Sequence, residues 1–316
     1  MSPSMIRQLL ARLWRASAPL TAAGLAMLPV LAACLLGLWL DPRSIAGAPA
    51  WLKPAKFAAS IGLYSLTLAW VFQYLPGHTR LRSRVGWISA GTFGVELAII
   101  CLQAARGQLS HFNTGTLLDG TLFSIMGVGI VVQTLASVAV AVALWRQNFA
   151  ERALGWALRL GLGIAILGAS LGGVMTRPTP EQLDAMRLRP PSVVGAHTVG
   201  AADGGPGLPG TGWSREHGDL RVPHFIGLHA LQALPLLALA LRRGRWSEQQ
   251  RSRLVLAAAA SYVGLVALLF WQALRGQALL APDRVTALAL LAWLGLSLVL
   301  AWQAVRGERR TAAFAS

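Results

Sequence analysis

Eight runs of roughly 20 apolar residues constrain this chain more than any other feature, because a helix crossing the ~30 Å hydrocarbon core of a bilayer needs about that length. They fall at about 18–40, 57–76, 85–105, 121–145, 153–175, 223–241, 253–274 and 285–305. Hydrophobic residues make up 55% of the 316 positions and charged ones 13%, which excludes a soluble globular protein. The expected fold class is an all-α integral membrane protein with eight transmembrane helices. Leu31 to Cys34 (LAAC) matches a lipoprotein cleavage box, but the apolar run continues to Leu40, so this segment reads as the first span.

A net charge of +16 raises nucleic acid as a partner, yet the arginines sit in short clusters between apolar runs, where they act as topology signals. Eight crossings put both termini on one side. That side collects 16 basic residues against three acidic ones, in clusters such as Arg7/Arg12/Arg15, Arg80/Arg82/Arg84 and Arg242/Arg243/Arg245, ending with Arg306, Arg309 and Arg310. The opposite side has 11 basic and eight acidic residues. The asymmetry predicts cytoplasmic termini and a multi-pass protein of a bacterial inner membrane, with the lipid bilayer as partner and no nucleic acid. Cys34 and Cys101 both lie in apolar runs, so neither a disulfide framework nor a cysteine metal motif is available.

The third and seventh runs end alike, in LQAARGQ (102–108) and WQALRGQ (271–277), at an offset of 169. At an offset of 168, Leu52-Lys53 and Lys56-Phe57 match Leu220-Arg221 and His224-Phe225. Two anchors at offsets that differ by a single residue predict a tandem 4+4 duplication, with a first four-helix unit at 1–150 and a second at 151–316. An even number of crossings per copy gives both the same orientation. The second unit would contain the long external Gly/Pro-rich loop, 176–222, whose length favours a lid or binding element.

Ionisable groups within a bilayer are costly and mark sites. Glu96 lies ten residues before Arg106, near the midplane at about 1.5 Å per residue. It reads either as a proton-carrying acid or as an interhelical hydrogen-bonding group. Asp119, Met126 and Gln133 form one stripe, and Lys56, Ser60 and Tyr64 another. Together they predict an externally open polar cavity, against the alternative of ordinary polar helix packing. His111, His197, His224 and His229 fall on the external side and are the candidate metal ligands, for Zn, Cu or Fe, with Asp119, Asp203 and Asp219 able to ligate or orient them. Against this, the five-residue spacing of His224 and His229 puts them about 140° apart on a helix, unlike an i, i+4 zinc pair. Arg106 and Arg275, in the two RGQ corners, are candidates to grip an anionic lipid or small-molecule substrate, or simply snorkel at helix ends.

The segments SHFN (110–113), GGPGLPGTGWS (204–214) and GDLRVPHFIGLHALQ (218–232) resemble those of a family of bacterial multi-pass membrane proteins, and the resemblance implies an inner-membrane location without an activity. The eight-helix, 4+4 plan is also similar to haem A synthase. That family carries histidines on paired helices in both halves, a pattern that the first-half helices here lack. The leading expectation is a membrane-embedded, metal-dependent enzyme, redox or lipid-directed, with Glu96, Asp119, Arg106 and Arg275 as catalytic candidates. The alternatives are a small-solute or ion transporter using Glu96, and a structural or sensory partner protein.

Overall fold

A computed structural model describes residues 2–188 and 190–313, with 307–313, among them Glu308, Arg309 and Arg310, described by backbone alone. The regular structure of the described residues is helical apart from four two-residue strands. In order, the elements are α1 (Pro3–Ala16), α2 (Ala18–Leu40), β1 (Ser44–Ile45), β2 (Ala48–Pro49), α3 (Leu52–Val71), α4 (Thr79–Ala105), α5 (Leu117–Arg146) and α6 (Arg152–Met175). They continue with α7 (Pro180–Met186), β3 (Thr198–Val199), β4 (Gly218–Asp219), α8 (Arg221–Leu241), α9 (Glu248–Leu274) and α10 (Arg284–Ala313). β1 pairs antiparallel with β2, and β3 with β4.

Eight helices, α2 to α6 and α8 to α10, are long and apolar enough to cross a membrane, as the eight runs predict. α2 continues unbroken through Cys34. Several helices outrun their apolar stretch: α3 begins at Leu52 and α4 at Thr79, both without a side-chain cap on the first turn. Ser247 caps α9 in a reciprocal capping box with Gln250. α4 and α9 stop at Gly107 and Gly276, whose φ values of 68° and 71° suit a left-handed C-terminal cap. α1 and α7 have no counterpart among the apolar runs, since neither is uniformly apolar.

The helices form two compact units, Met1–Ala143 with Met175–Ala196 and Ala202–Gly212, and Leu144–Val174 with His197–Ala201 and Trp213–Ser316. The long 176–222 connection thus contributes segments to both.

In the first unit α2 lies close against α3 at Gly24 and Gly62. A Cβ on Gly24 would stand 2.7 Å from Leu66, and one on Gly62 3.2 Å from the Met27 Cβ. Met27, Ala58, Ile61 and Leu97 form the adjoining core. Such small-residue crossings replace the hydrophobic drive that lipid removes, because close backbone approach maximises dispersion contacts. In the second unit α6 meets α8 in the same way at Gly161, Gly168 and Gly172. α9 is tied to α8 by the Tyr262 hydroxyl, which donates to the Ile226 carbonyl at 2.7 Å. It is tied to α10 by the Ser261–Ser297 hydroxyl pair at 2.6 Å. Arg159 fastens the turn into α6. It donates to the Leu144 and Gln147 carbonyls while its guanidinium lies over Trp145, Phe149 and Trp156.

Candidate functional site

The first unit concentrates its polar groups where α4 turns into α5. Gly107 reverses the chain after α4, and the clasp that holds this corner is built from four side chains. Asp119, in the first turn of α5, is 3% exposed, yet its carboxylate is fully engaged. It accepts from Arg106 at 2.7 Å, from Gln103 at 2.9 Å and from the Thr116 hydroxyl at 2.7 Å. The Asp119 amide donates back to Thr116, and Arg106 also donates to the Gln103 side-chain oxygen. Gln103 reaches the Leu109 carbonyl at 3.1 Å, so the first residues of the loop are fixed as well.

The second unit has its own version. Gln272 donates to the Ala278 carbonyl at 2.9 Å, and Arg275 pairs with Asp283 at 2.6 Å and with the Thr286 hydroxyl at 2.7 Å. The Thr286 amide donates to Asp283 at 2.8 Å. Thr and Asp have exchanged places between Thr116-x-x-Asp119 and Asp283-x-x-Thr286. Arg106 and Arg275, read from sequence as candidate grips for an anion, therefore bind the first turn of the following helix.

The fastened α4–α5 loop carries His111 back onto the helices. Its Nε2 lies 3.8 Å from the Glu96 carboxylate, with side-chain exposures of 21% and 6%. The imidazole sits among the rings of Phe57, Phe112 and Phe123 at centroid distances of 5.8 to 6.2 Å, and its Nδ1 bonds the Ser110 hydroxyl at 3.2 Å. Lys53, at the start of α3, acts electrostatically on Glu96. A carboxylate and an imidazole at this distance in apolar surroundings are coupled, because the charge on one sets the cost of charge on the other.

A strap from the 176–222 connection covers this loop. The Val194 amide donates to the Phe112 carbonyl at 2.8 Å, the Thr114 amide to the Ser192 carbonyl at 2.9 Å, and the Thr114 hydroxyl to the Pro191 carbonyl at 2.7 Å. Gln182 of α7 brackets Gly195, accepting from its amide at 2.8 Å and donating to its carbonyl at 3.0 Å. Phe112 itself adopts a φ of 64°, a left-handed conformation that is strained for an aromatic residue and is held by these bonds and by ring packing.

The remaining histidines do other work. His224 Nδ1 bonds the Gly168 carbonyl at 2.7 Å across the α6–α8 crossing. His229 lies against Phe225 and within 3.3 Å of the Gln232 side chain. The His197 carbonyl accepts from the Leu220 amide. Among the described residues no group of three or more His, Cys, Asp or Glu side chains stands where it could hold a metal ion. The donor set of His111, His197, His224 and His229 does not fit a Zn, Cu or Fe centre.

The two polar stripes meet: Gln133 donates to the Tyr64 hydroxyl at 3.2 Å, and Tyr64 pairs with Ser137 at 3.0 Å. Lys56 donates to the Thr211 carbonyl at 2.6 Å. The sequence singled out Glu96 and His111 separately, as an acid and as a metal ligand. Their pairing was missed, because no helical period relates residues on either side of a corner.

Two carboxylates outside the spans give a pH dependence. Hydrogen bonds from Arg43, together with one from Trp51, hold Asp41 well below the usual carboxylate range, and Arg275, with the Thr286 amide, does the same for Asp283. A folded-state value below the unfolded one of about 3.9 stabilises the fold at higher pH, and the stabilisation is lost as pH falls through and below about 4. Asp41→Asn and Asp283→Asn are each expected to flatten this acid limb in thermal unfolding measured from neutral pH downward. An acid limb as steep as wild type in both would contradict it.

No family model, curated protein or solved structure matches this chain.

Proposed function

We propose that this is a proton-linked carrier of a small solute or ion in a bacterial inner membrane, with both termini cytoplasmic and two like-oriented four-helix units. The observation that carries the reading is the Glu96–His111 pair, placed among α3, α4 and α5 and ringed by phenylalanines. A buried acid coupled to an imidazole can load and unload a proton, and intramembrane ionisable residues serve this role in pumps and transporters. Two features support the duplication. α4 and α9 begin and end at an offset of 169, and an arginine that binds an Asp or Thr of the next helix, beside a glutamine that fixes the loop, occurs in both units. Position 265, the counterpart of Glu96, is leucine, so the proton-handling role belongs to the first copy.

The test is proton flux into proteoliposomes containing a trapped pH-sensitive dye, with a potassium gradient and ionophore as the driving force. Wild type is expected to pass protons, and Glu96→Gln, which keeps shape and removes the titrating group, is expected to lose most of that flux. His111→Gln is expected to slow flux and shift its pH profile. Flux at the wild-type rate in Glu96→Gln would overturn the proposal.

A further inference from the structure

The N-terminal helix α1 is separated from the span α2 by Ser17 alone, so its last turn lies at the membrane surface. Ser2 caps it and Pro3 occupies its first turn. At about 100° per residue, Met5, Ile6, Leu9, Leu10, Leu13 and Trp14 share one half of the circumference, and Arg7, Arg12 and Arg15 share the other. No acidic residue is present in α1. Leu13, at the centre of the apolar half, is 5% exposed, and α1 touches α3 and the 3-10 turn Phe72–Tyr74 that ends it. Around Leu13 the same half is open: Met5 is 53% exposed, Ile6 45%, Leu9 39% and Trp14 51%. The neighbouring start of α4 adds Arg80, Arg82 and Arg84.

We propose that α1 is an interfacial helix seated in the headgroup layer, with Met5, Ile6, Leu9 and Trp14 at the acyl boundary and Arg7, Arg12 and Arg15 on anionic lipid headgroups. Charge complementarity and the single-residue link to a span fix the occupant. An apolar half next to a bilayer is buried by lipid, and a purely basic opposite half is drawn to a negative surface. Trp14 fits the headgroup level, where one end of the ring is apolar and the other wet. The arginines thus hold α1 in plane against the unit through a lipid-dependent contact. This inference is independent of the proton-linked reading, since it involves neither Glu96 nor His111.

The experiment uses the full chain with Cys34→Ala and Cys101→Ala, and a single fluorescent thiol label introduced by Leu9→Cys or, on the other half, Gln8→Cys. Each is reconstituted into phosphatidylcholine alone or mixed with phosphatidylglycerol, with brominated acyl chains as quenchers. The label at position 9 is expected to be quenched and the one at position 8 spared. Quenching at position 9 should deepen with phosphatidylglycerol, and that gain should be lost at high salt. Arg7→Gln, Arg12→Gln and Arg15→Gln together remove the gain, and the corresponding lysine variant keeps it, which separates charge from misfolding. Equal quenching at both positions, or no effect of phosphatidylglycerol, would overturn the proposal. Quenching that changes with protein-to-lipid ratio would assign the face to a second copy, and would also overturn it.

Discussion

Gly168→Val is expected to cost about 3 kcal/mol or more of stability, at or beyond the upper end of overpacking effects. At this position α6 and α8 are in backbone contact. A Cβ on Gly168 would stand 2.6 Å from the Gly227 carbonyl carbon and the Leu228 nitrogen, and 2.7 Å from the Gly227 Cα. All three neighbours are backbone, so no side-chain rotation relieves the clash and the helices must separate. Separation also pulls the Gly168 carbonyl away from His224 Nδ1, now 2.7 Å distant, leaving an unpaired imidazole in an apolar setting. The control lies on the same helix: Gly163 has nothing within 4 Å of an added Cβ, so Gly163→Val is expected to stay within about 1 kcal/mol, the propensity difference alone. Thermal unfolding and monodispersity in detergent read both. Equal losses in the two variants would show that the close crossing does not hold the second unit together.

The same crossing shows what a linear reading of this chain can and cannot reach. The spans were legible because a bilayer imposes one length and one polarity on every helix that crosses it, and α2, α6 and α8 lie within two residues of their apolar runs. α1 was not, since a window tuned to uniform apolarity passes over a helix whose two halves differ. His224 reads from sequence as a candidate metal ligand, but a histidine binding a metal and one binding a carbonyl look alike there. Only the approach of Gly168, 56 positions away, decides between them. The two RGQ corners were visible as a repeat, while the clasp they complete was hidden. Asp and Thr are exchanged, and Asp283 stands eight positions after Arg275 where Thr116 stands ten after Arg106. Glu96 and His111 were both singled out, yet their meeting depends on the loop returning over α4, which the clasp at Asp119 enforces.

The strap over that loop is the second place where one atom is expected to matter greatly. Gly195 has a φ of 108°, a region that glycine occupies and other residues avoid, and an added Cβ would stand 2.5 Å from the Met175 carbonyl oxygen and 2.8 Å from the Phe112 ring. Met175 already accepts from the Ala196 amide at 3.0 Å, and Gln182 grips Gly195 from both sides, so the backbone cannot turn away without breaking several bonds. Gly195→Ala therefore carries a strain of about 3 kcal/mol that detaching the strap relieves. The spans need not move for this to happen. Hydrogen exchange is the natural measurement. The amides of Thr114 and Val194, which bridge the loop and the strap, are expected to exchange roughly 100-fold faster, the factor that such a loss of local opening free energy gives. Gly205→Ala, in the same connection with nothing within 4 Å of an added Cβ, is expected to leave them unchanged. With the strap detached, Phe112 loses the bond from Val194 that helps hold its left-handed conformation, and His111 becomes more open to solvent. Proton exchange at the Glu96–His111 pair should then track the surrounding buffer more closely than in wild type. Unchanged exchange at Thr114 and Val194 in Gly195→Ala would mean that the strap is not clipped to the loop as the structure has it, and the shielding of the pair would need another source.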